Sequence, residues 1–361
     1  MSRSFTIVKE SNGVRRGVLS TRRGVVETPA FMPIATKGAV KTLTSEELHD
    51  AGAQIILSNT YHLMLRPGME VMKHVGGLHR FMQWDSPILT DSGGFQVYSL
   101  SKLRKITDQG VTFRSHIDGS EHLLTPENSL AIQDNIGSDI RMVLDDVRSG
   151  TSPVSVMKEA VGRTFAWAQR SKIFLSEHPT DALTFGIVQG GVDPELRRRS
   201  TEQLVSLDFD GYAVGGLAVG ETEEQMFNMT NAVTSRLPSD RPRYFMGGAK
   251  PEQIVQLVTL GVDLFDCVIP TREARHGRLY CWTSNTPAID GSTKWYVKHA
   301  IKNAPYAMDD TAIDPYCSCT TCRCYSRAYL HHLFDIEEPL ALRLATQHNI
   351  RFYLDVLKKI R

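Results

Sequence analysis

The chain has 361 residues, 41% of them hydrophobic and 22% charged, with 41 Lys+Arg against 40 Asp+Glu for a formal charge of +1. That composition excludes a disordered or collagen-like chain, and the charge balance excludes a protein that coats nucleic acid through bulk basicity, though not one with a local basic surface. No apolar run approaches the ~20 residues of a membrane helix. The opening meets Lys9, Glu10, Arg15 and Arg16 too soon for a signal-peptide core, so a soluble, cytoplasmic protein is expected. At about 150 residues per domain the length suggests two or three units, but an α/β barrel can use most of it alone.

The first residues read as antiparallel β-structure, with short apolar or β-branched runs at 5–8, 17–20 and 24–28 separated by Gly, Arg and Asn turns. A different rhythm follows. Apolar runs at 30–35, 54–57, 87–90, 140–144, 183–188, 212–214, 243–246 and 264–269 are mostly separated by stretches of helical spacing. Those stretches fall at 45–51, 126–136, 156–175, 194–206, 223–234 and 251–260, and some open on cap residues such as Thr125 and Thr222. Short strands that are apolar throughout are buried on both faces, as in a parallel sheet. Eight of them alternating with helices predict an α/β fold, a (β/α)8 TIM barrel, over an open doubly wound sheet, which the pattern alone does not exclude. The predicted organisation is one catalytic domain, 1–361, with an N-terminal antiparallel element and a metal-binding subdomain at 271–350 inserted after the eighth strand. The stretch 283–314, rich in Thr, Asn, Asp, Gly and Pro, reads as a linker-like excursion.

Chemistry in such a barrel sits where strands end. Residues 87–90 run into Asp91-Ser92-Gly93-Gly94-Phe95-Gln96, Leu144 into Asp145-Asp146, Val188 into Gln189-Gly190-Gly191, Val214 into Gly215-Gly216-Leu217, and Phe245 into Met246-Gly247-Gly248. Asp266 lies within Leu264-Phe265-Asp266-Cys267-Val268-Ile269. Three strands thus bring carboxylates to one face, and three bring glycines at which a flat ligand can approach the backbone. Converging carboxylates suit acid–base work, nucleophilic attack at a sugar carbon, or recognition of N–H donors. Singly, Asp91 before Ser-Gly-Gly also suits a turn opener, and Asp145-Asp146 a helix cap. Asp266, flanked by Leu, Phe, Cys and Val, is the acid whose burial most calls for a task.

Four of the six cysteines, Cys317, Cys319, Cys322 and Cys324, fall in one short stretch, which in a reducing compartment points to metal before disulfide. Cys317-x-Cys319-x-x-Cys322 supplies three thiolates, and Cys324, His331, His332 or His348 could complete a tetrahedral zinc site. A thiolate and imidazole set without carboxylate suggests a closed, structural site.

Taken in order, T-D-S-G-G-F-Q (90–96), L-D-D-V (144–147), V-Q-G-G (188–191), G-G-L-A-V-G-E (215–221), F-D-C-V-I-P-T-R (265–272), C-x-C-x-x-C (317–322) and S-R-A-Y-L-H-H-L (326–333) resemble the tRNA-guanine transglycosylase (queuine tRNA-ribosyltransferase) family over residues 29–348. The resemblance implies a pentosyltransferase on a (β/α)8 barrel with a C-terminal zinc-binding insertion. Such enzymes exchange the wobble guanine of certain tRNAs, those with G-U-N anticodons, for a 7-deazaguanine in queuosine modification, and the bacterial ones are homodimers. On this resemblance Asp266 matches the nucleophile at the ribose anomeric carbon, and Asp91 the general acid/base. Phe95 and Met246 sandwich the base and Asp145 accepts from its N–H edge. Gln189 and the backbone of Gly216 and Leu217 read its carbonyl and substituent, and Ser92 belongs to the same pocket. Gly247, Lys250, Arg272 and Arg275 match segments that grip the anticodon loop. One zinc per chain is held by Cys317, Cys319, Cys322 and His348. Two displacements at one anomeric centre retain configuration and keep the RNA chain intact.

Some positions depart from the family pattern. Leu144-Asp145-Asp146-Val147 looks like the eukaryotic, queuine-using branch, whereas Leu217-Ala218-Val219-Gly220-Glu221 looks bacterial. Val219 narrows the pocket and Glu221 suits a cationic aminomethyl group, which favours 7-aminomethyl-7-deazaguanine (preQ1) over queuine. Glu273 and His276 are unusual beside Arg272 and Arg275, where an acid would alter tRNA preference. The stretch 281–316 is longer than in typical members. A non-catalytic tRNA-binding subunit is the main rival, and it predicts loss of the carboxylates that are present here. A barrel metal hydrolase would need His and Asp ligands at strand ends, but no H-x-H follows the first strand and His62 alone suits an orienting role. The near-neutral total hides two opposed regions: 271–361 holds 13 Lys+Arg and 9 Asp+Glu, or +4, which leaves −3 for 1–270.

Overall fold

A computed structural model of the chain describes residues 4–100, 104–150, 152–289 and 294–361. Strands β1 (Phe5–Ser11), β2 (Val14–Thr21) and β3 (Gly24–Thr28) form an antiparallel meander, as the short runs between turns predict. Next come β4 (Ala30–Met32), β5 (Ile56–Ser58) and β6 (Ile88–Thr90). A small antiparallel sheet then interrupts the series, built from β7 (Arg104–Ile106), β8 (Val111–Arg114) and β9 (Glu121–Leu124). The series resumes with β10 (Ile140–Met142), β11 (Leu183–Val188), β12 (Gly211–Val214), β13 (Arg243–Phe245) and β14 (Leu264–Asp266).

Strands β4, β5, β6 and β10 to β14 pair in parallel in the order β4-β14-β13-β12-β11-β10-β6-β5. The Ala35 N–H donates to Leu57 O (2.6 Å) and the Leu57 N–H to Pro33 O (3.0 Å), which joins β4 to β5 and closes the ring. All eight predicted runs therefore become barrel strands. Most are only three or four residues long because they stop at the polar or glycine residue that turns the chain at the mouth. The residues of these strands are almost all buried, as a sheet covered on both faces requires. The six predicted helices are present at Ser45–Asp50, Pro126–Ile136, Val154–Glu177, Pro194–Val205, Glu223–Thr234 and Pro251–Thr259. Thr125 with Asn128, and Thr222 with Gln225, form reciprocal capping boxes.

Two expectations are corrected. The run 264–269 is not one strand: β14 ends at Asp266, and Ile269–Arg275 is a helix with Pro270 in its first turn, where proline is tolerated. The stretch 283–314 is not a plain excursion. β15 (Arg278–Trp282) pairs in antiparallel fashion with β16 (Tyr296–Ala300), and a 3-10 turn follows at Ala304–Met308. Residues 290–293 of that stretch lie outside the described residues.

The first sheet covers the N-terminal end of the barrel. Arg15 from β2 reaches Ser239 O (2.6 Å) and Asp263 (3.6 Å), and Arg22 reaches Asp139 (2.9 Å). The opposite mouth, where the strands end, is left for chemistry. The last helix, Pro339–Ile360, belongs to both parts of the molecule: Tyr353 packs on Phe31 of β4 (5.2 Å between rings), while His348 faces the cysteines. No helix among the described residues is long and apolar enough to cross a membrane.

Candidate active site and metal centre

Asp266 is the last residue of β14, and its carboxylate is nearly buried. Oδ1 accepts from the Tyr244 hydroxyl (2.5 Å) and from the Gly247 N–H (2.8 Å). Burial pushes its pKa up, against the Tyr244 and Gly247 hydrogen bonds. Two donors on one oxygen hold the group still and leave Oδ2 without a protein donor among the described residues.

Asp91 follows β6. Its Oδ1 accepts from the Thr60 N–H (2.9 Å) and the Gly93 N–H (3.2 Å), and its Oδ2 from the Asn59 amide. The bond to Gly93 is the turn-opening contact that the sequence suggested, made by a carboxylate that also stands buried at a strand end. Burial raises this carboxyl to about 6 against those three hydrogen bonds, and the Asp266 charge adds to the rise. The two acids are thus within electrostatic reach of each other. A group near 6 can both give and take a proton around neutral pH.

Asp145 follows β10. Its Oδ2 accepts from Gln189 Nε2 (2.6 Å) and its Oδ1 from Ser92 Oγ (3.3 Å). Burial pushes it up to about 7 against those two bonds, helped by the Asp146 charge. Neither aspartate caps a helix, since the next one starts at Val154. Asp146 instead binds Arg148 (2.8 Å) and Arg163 (2.5 Å).

The glycine loops stand beside these acids. Gly216 has φ +62°, and a Cβ there would lie 2.2 Å from Gln189 Oε1, so only glycine lets the Gln189 side chain lie against this backbone. Leu217 is buried, Met246 is half-buried, and Phe95 presents 46% of its surface at the rim. Glu221 accepts from the Ala218 and Val219 N–H groups, so its carboxylate is built into the loop wall. Lys250 is exposed at the start of the Pro251–Thr259 helix. Arg272 is exposed on the Ile269–Arg275 helix, where the Arg275 guanidinium donates to Thr271 O (2.8 Å). Glu273 turns to Arg278 (3.3 Å), while His276 is exposed at the helix end. The fold therefore gathers the strand-end residues named from the sequence at one mouth. Asn59, Thr60 and Tyr244 escaped the sequence reading. A polar pair placed directly after a buried strand was the available signal for Asn59 and Thr60. His62, in the helix that follows, is half-buried and edge-on to His116 (5.9 Å), and burial and Lys37 hold its pKa down at about 4.

The ligand atoms of Cys317, Cys319, Cys322 and His348 lie within 4.8 Å of one another, and all four residues are buried. His348 Nδ1 is 3.2 Å from Cys322 Sγ, while Nε2 donates to Tyr280 O (2.7 Å), which leaves Nδ1 free to ligate. Hydrogen bonds from Cys317 and Cys322 push the Cys319 thiol far below its ordinary range. Of the four candidates for a fourth position, His348 is the one that lies beside the thiols, and His332 is exposed. Cys324 is exposed, and His331 is engaged with Ile301 O (2.8 Å). The set can hold a metal ion, and three thiolates with one imidazole leave no open position.

Fold and site together define a (β/α)8-barrel enzyme with three buried acids at the strand ends and a buried Cys3His knot after the last strand. The family model described as queuine tRNA-ribosyltransferase matches residues 10–361. The queuine tRNA-ribosyltransferase of Desulforudis audaxviator is 49% identical over 359 residues, covering 99% of this chain and 93% of the relative. That of Caldanaerobacter subterraneus subsp. tengcongensis is 50% identical over 347 residues, covering 96% and 89%. That of Thioalkalivibrio sulfidiphilus is 50% identical over 357 residues, covering 99% and 92%. The chain belongs to the queuine tRNA-ribosyltransferase family.

Proposed function

We propose that this chain exchanges the wobble guanine of tRNAs with a G-U-N anticodon for a 7-deazaguanine, through a covalent ribose ester on Asp266. The observation that carries the reading is the pair of buried acids with different holds: Asp266 pinned by two donors on one oxygen, and Asp91 poised near 6 beside it. In the first displacement the free Asp266 oxygen attacks C1′ of the ribose. The C1′–N9 bond breaks as the C1′–O bond forms, and the departing guanine takes the Asp91 proton. In the second, the incoming base returns its N9 proton to Asp91 and displaces the carboxylate. Each displacement inverts C1′, so configuration is retained. Phe95 and Met246 hold the base between them, Asp145, Ser92 and Gln189 read its edge, and Gly216 and Leu217 read its carbonyl. Lys250, Arg272 and Arg275 hold the anticodon loop by its phosphates, an interaction that weakens as salt rises, while Gly247, whose N–H is given to Asp266, belongs to the same gripping segment.

The incoming base on this reading is preQ1, because Val219 narrows the pocket wall against Gly150, whose added Cβ would stand 3.8 Å from it. The enzyme acts as a homodimer in the cytoplasm. The metal is zinc, which the Cys3His set fits; when bound it ties the Pro339–Ile360 helix to the cysteine knuckle and takes no part in the chemistry.

The direct test is incorporation of radiolabelled guanine into tRNA with a G-U-N anticodon, followed by competition between preQ1 and queuine. Incorporation with preQ1 the stronger competitor is expected. A wild-type protein that binds tRNA without exchange would instead be a non-catalytic subunit. For the metal, elemental analysis is expected to give one zinc per chain. Chelation, or Cys319→Ala, is expected to lower the Tm by well over ~10 °C, whereas Asp91→Asn keeps the zinc. Metal-free protein of undiminished Tm and activity would refute the structural zinc.

A further inference from the structure

Arg197 lies on the Pro194–Val205 helix in the charged run Glu195-Leu196-Arg197-Arg198-Arg199. Arg198 behaves as a surface residue and pairs with Glu195 (2.5 Å) and Glu202 (2.7 Å). Arg197 is fully buried. Its Nε donates to Gly191 O (2.8 Å), its Nη1 to Gly215 O (2.6 Å) and Val188 O (3.1 Å), and its Nη2 to Gly216 O (3.2 Å). No carboxylate pairs with it among the described residues, and Glu221 acts on it only through space. A buried cation is costly, and here four carbonyl dipoles offset the cost in place of a counter-ion. Three of those carbonyls belong to the two glycine loops after β11 and β12 and the fourth is the last of β11, so the guanidinium bridges the loops.

The bridge sets the direction of the amides. The Gly215–Gly216 and Gly216–Leu217 peptides are trans, so each N–H points opposite to the carbonyl of the same peptide. With both carbonyls turned to a helix outside the barrel, the Gly216 and Leu217 N–H groups face the mouth. There they have no protein acceptor among the described residues. Gln189 begins the first of these loops and its side chain is pressed against Gly216 of the second.

We propose that Arg197 is a positioning residue for base recognition, which by binding the outward carbonyls of both glycine loops presents the Gly216 and Leu217 N–H groups as preformed donors to a carbonyl on a purine-like base. The inference rests on the base-exchange reading above and adds a specificity element that touches no substrate. Preformed donors cost no reorganisation when the base arrives.

The test uses the full-length protein and two probes, guanine and 2-aminopurine, which lacks the carbonyl. In Arg197→Met and Arg197→Lys the guanine Kd is expected to rise about 10- to 100-fold, because the lost interaction is a polar contact in a dry site. Lysine keeps the charge, but its single nitrogen does not span the carbonyls from Gly191 to Gly216. The 2-aminopurine Kd should change less than about threefold, so that discrimination between the two bases collapses while the KM for tRNA stays put. If the Met variant fails to fold, the Lys variant decides. Equal losses for both bases with a parallel fall in Tm mean a merely structural arginine and overturn the proposal, as does an unchanged guanine Kd. Wild type that binds guanine without exchanging it into tRNA refutes the exchange reading alone, and the Arg197 effect is then still read from the two Kd values.

Discussion

Asp266→Asn is expected to abolish base exchange, with a loss of at least ~10⁴-fold, because a carboxamide does not form the ribose ester on which both displacements depend. The fold should survive the change. The amide oxygen keeps the donors from Tyr244 and Gly247, and burial already disfavours the charged form of Asp266. A raised folded-state pKa means stability that is full at low pH and lost as pH rises. The neutral variant should therefore equal or exceed the wild-type Tm at pH 8. The decisive measurement is a denaturing gel of enzyme mixed with tRNA. Wild type should carry a covalent RNA band and Asp266→Asn none. An RNA band on the Asn variant would remove Asp266 from the nucleophile's position. Tyr244→Phe is a graded companion on the same gel: it removes one of the two donors and should slow formation of the band without eliminating it.

Binding of the free base is expected to tighten as pH rises from about 5.5 to about 8, and to release a proton. In the empty pocket burial holds Asp145 up to about 7, so near neutrality much of it is protonated. The N–H edge of a guanine-like base requires an acceptor there, so the bound state favours the carboxylate. Below its pKa, affinity should gain up to about tenfold per pH unit and then level off. Calorimetry in two buffers of different ionisation enthalpy reads the released proton directly. Asp145→Asn should cost about 100-fold or more in base affinity, since it places a donor against donors, and it should flatten the pH profile. It should also stabilise the empty enzyme. The raised carboxyl contributes stability that is full below the ordinary carboxylate range and is lost as pH climbs through about 7, so the Tm advantage of the variant should grow over that interval. A base Kd that is flat from pH 5.5 to 8, with no proton release, would take Asp145 out of base recognition.

Asp263 shows how far a buried acid can be read from its neighbours in sequence. It stands three residues before Asp266 in Val262-Asp263-Leu264-Phe265-Asp266, and both are buried among apolar residues. One strand of barrel separates them, about 10 Å at the usual rise per residue. Asp263 therefore sits at the closed end, against Arg15 (3.6 Å) and the Arg243 N–H (2.8 Å), while Asp266 reaches the open mouth. Burial raises both, Asp263 to about 7, yet only one is at the strand end where a substrate can arrive. Arg197 is the mirror case. In a run of charged helical residues it looks solvated, and only the phase of the Pro194–Val205 helix against the barrel turns it inward.

The eight strands, the acids that terminate three of them and the cysteine knuckle were legible in the linear chain. Double-sided burial leaves an uninterrupted apolar run, a strand end is marked by the first polar residue after it, and knuckle ligands are close in sequence. Other features depended on contacts between residues far apart along the chain. His348 was distinguished from His331 and Cys324 only by the helix that returns it to the thiols, 26 residues beyond Cys322. The pairing of 278–282 with 296–300 was hidden because the second strand is only partly buried and mixes polar with apolar residues, so it carries little apolar signal. The proton affinities of Asp91 and Asp145, the grip of Tyr244 on Asp266 and the inward turn of Arg197 belong to the tertiary structure. Each arises from desolvation and from hydrogen bonds between different strands, which exist only once the barrel has closed.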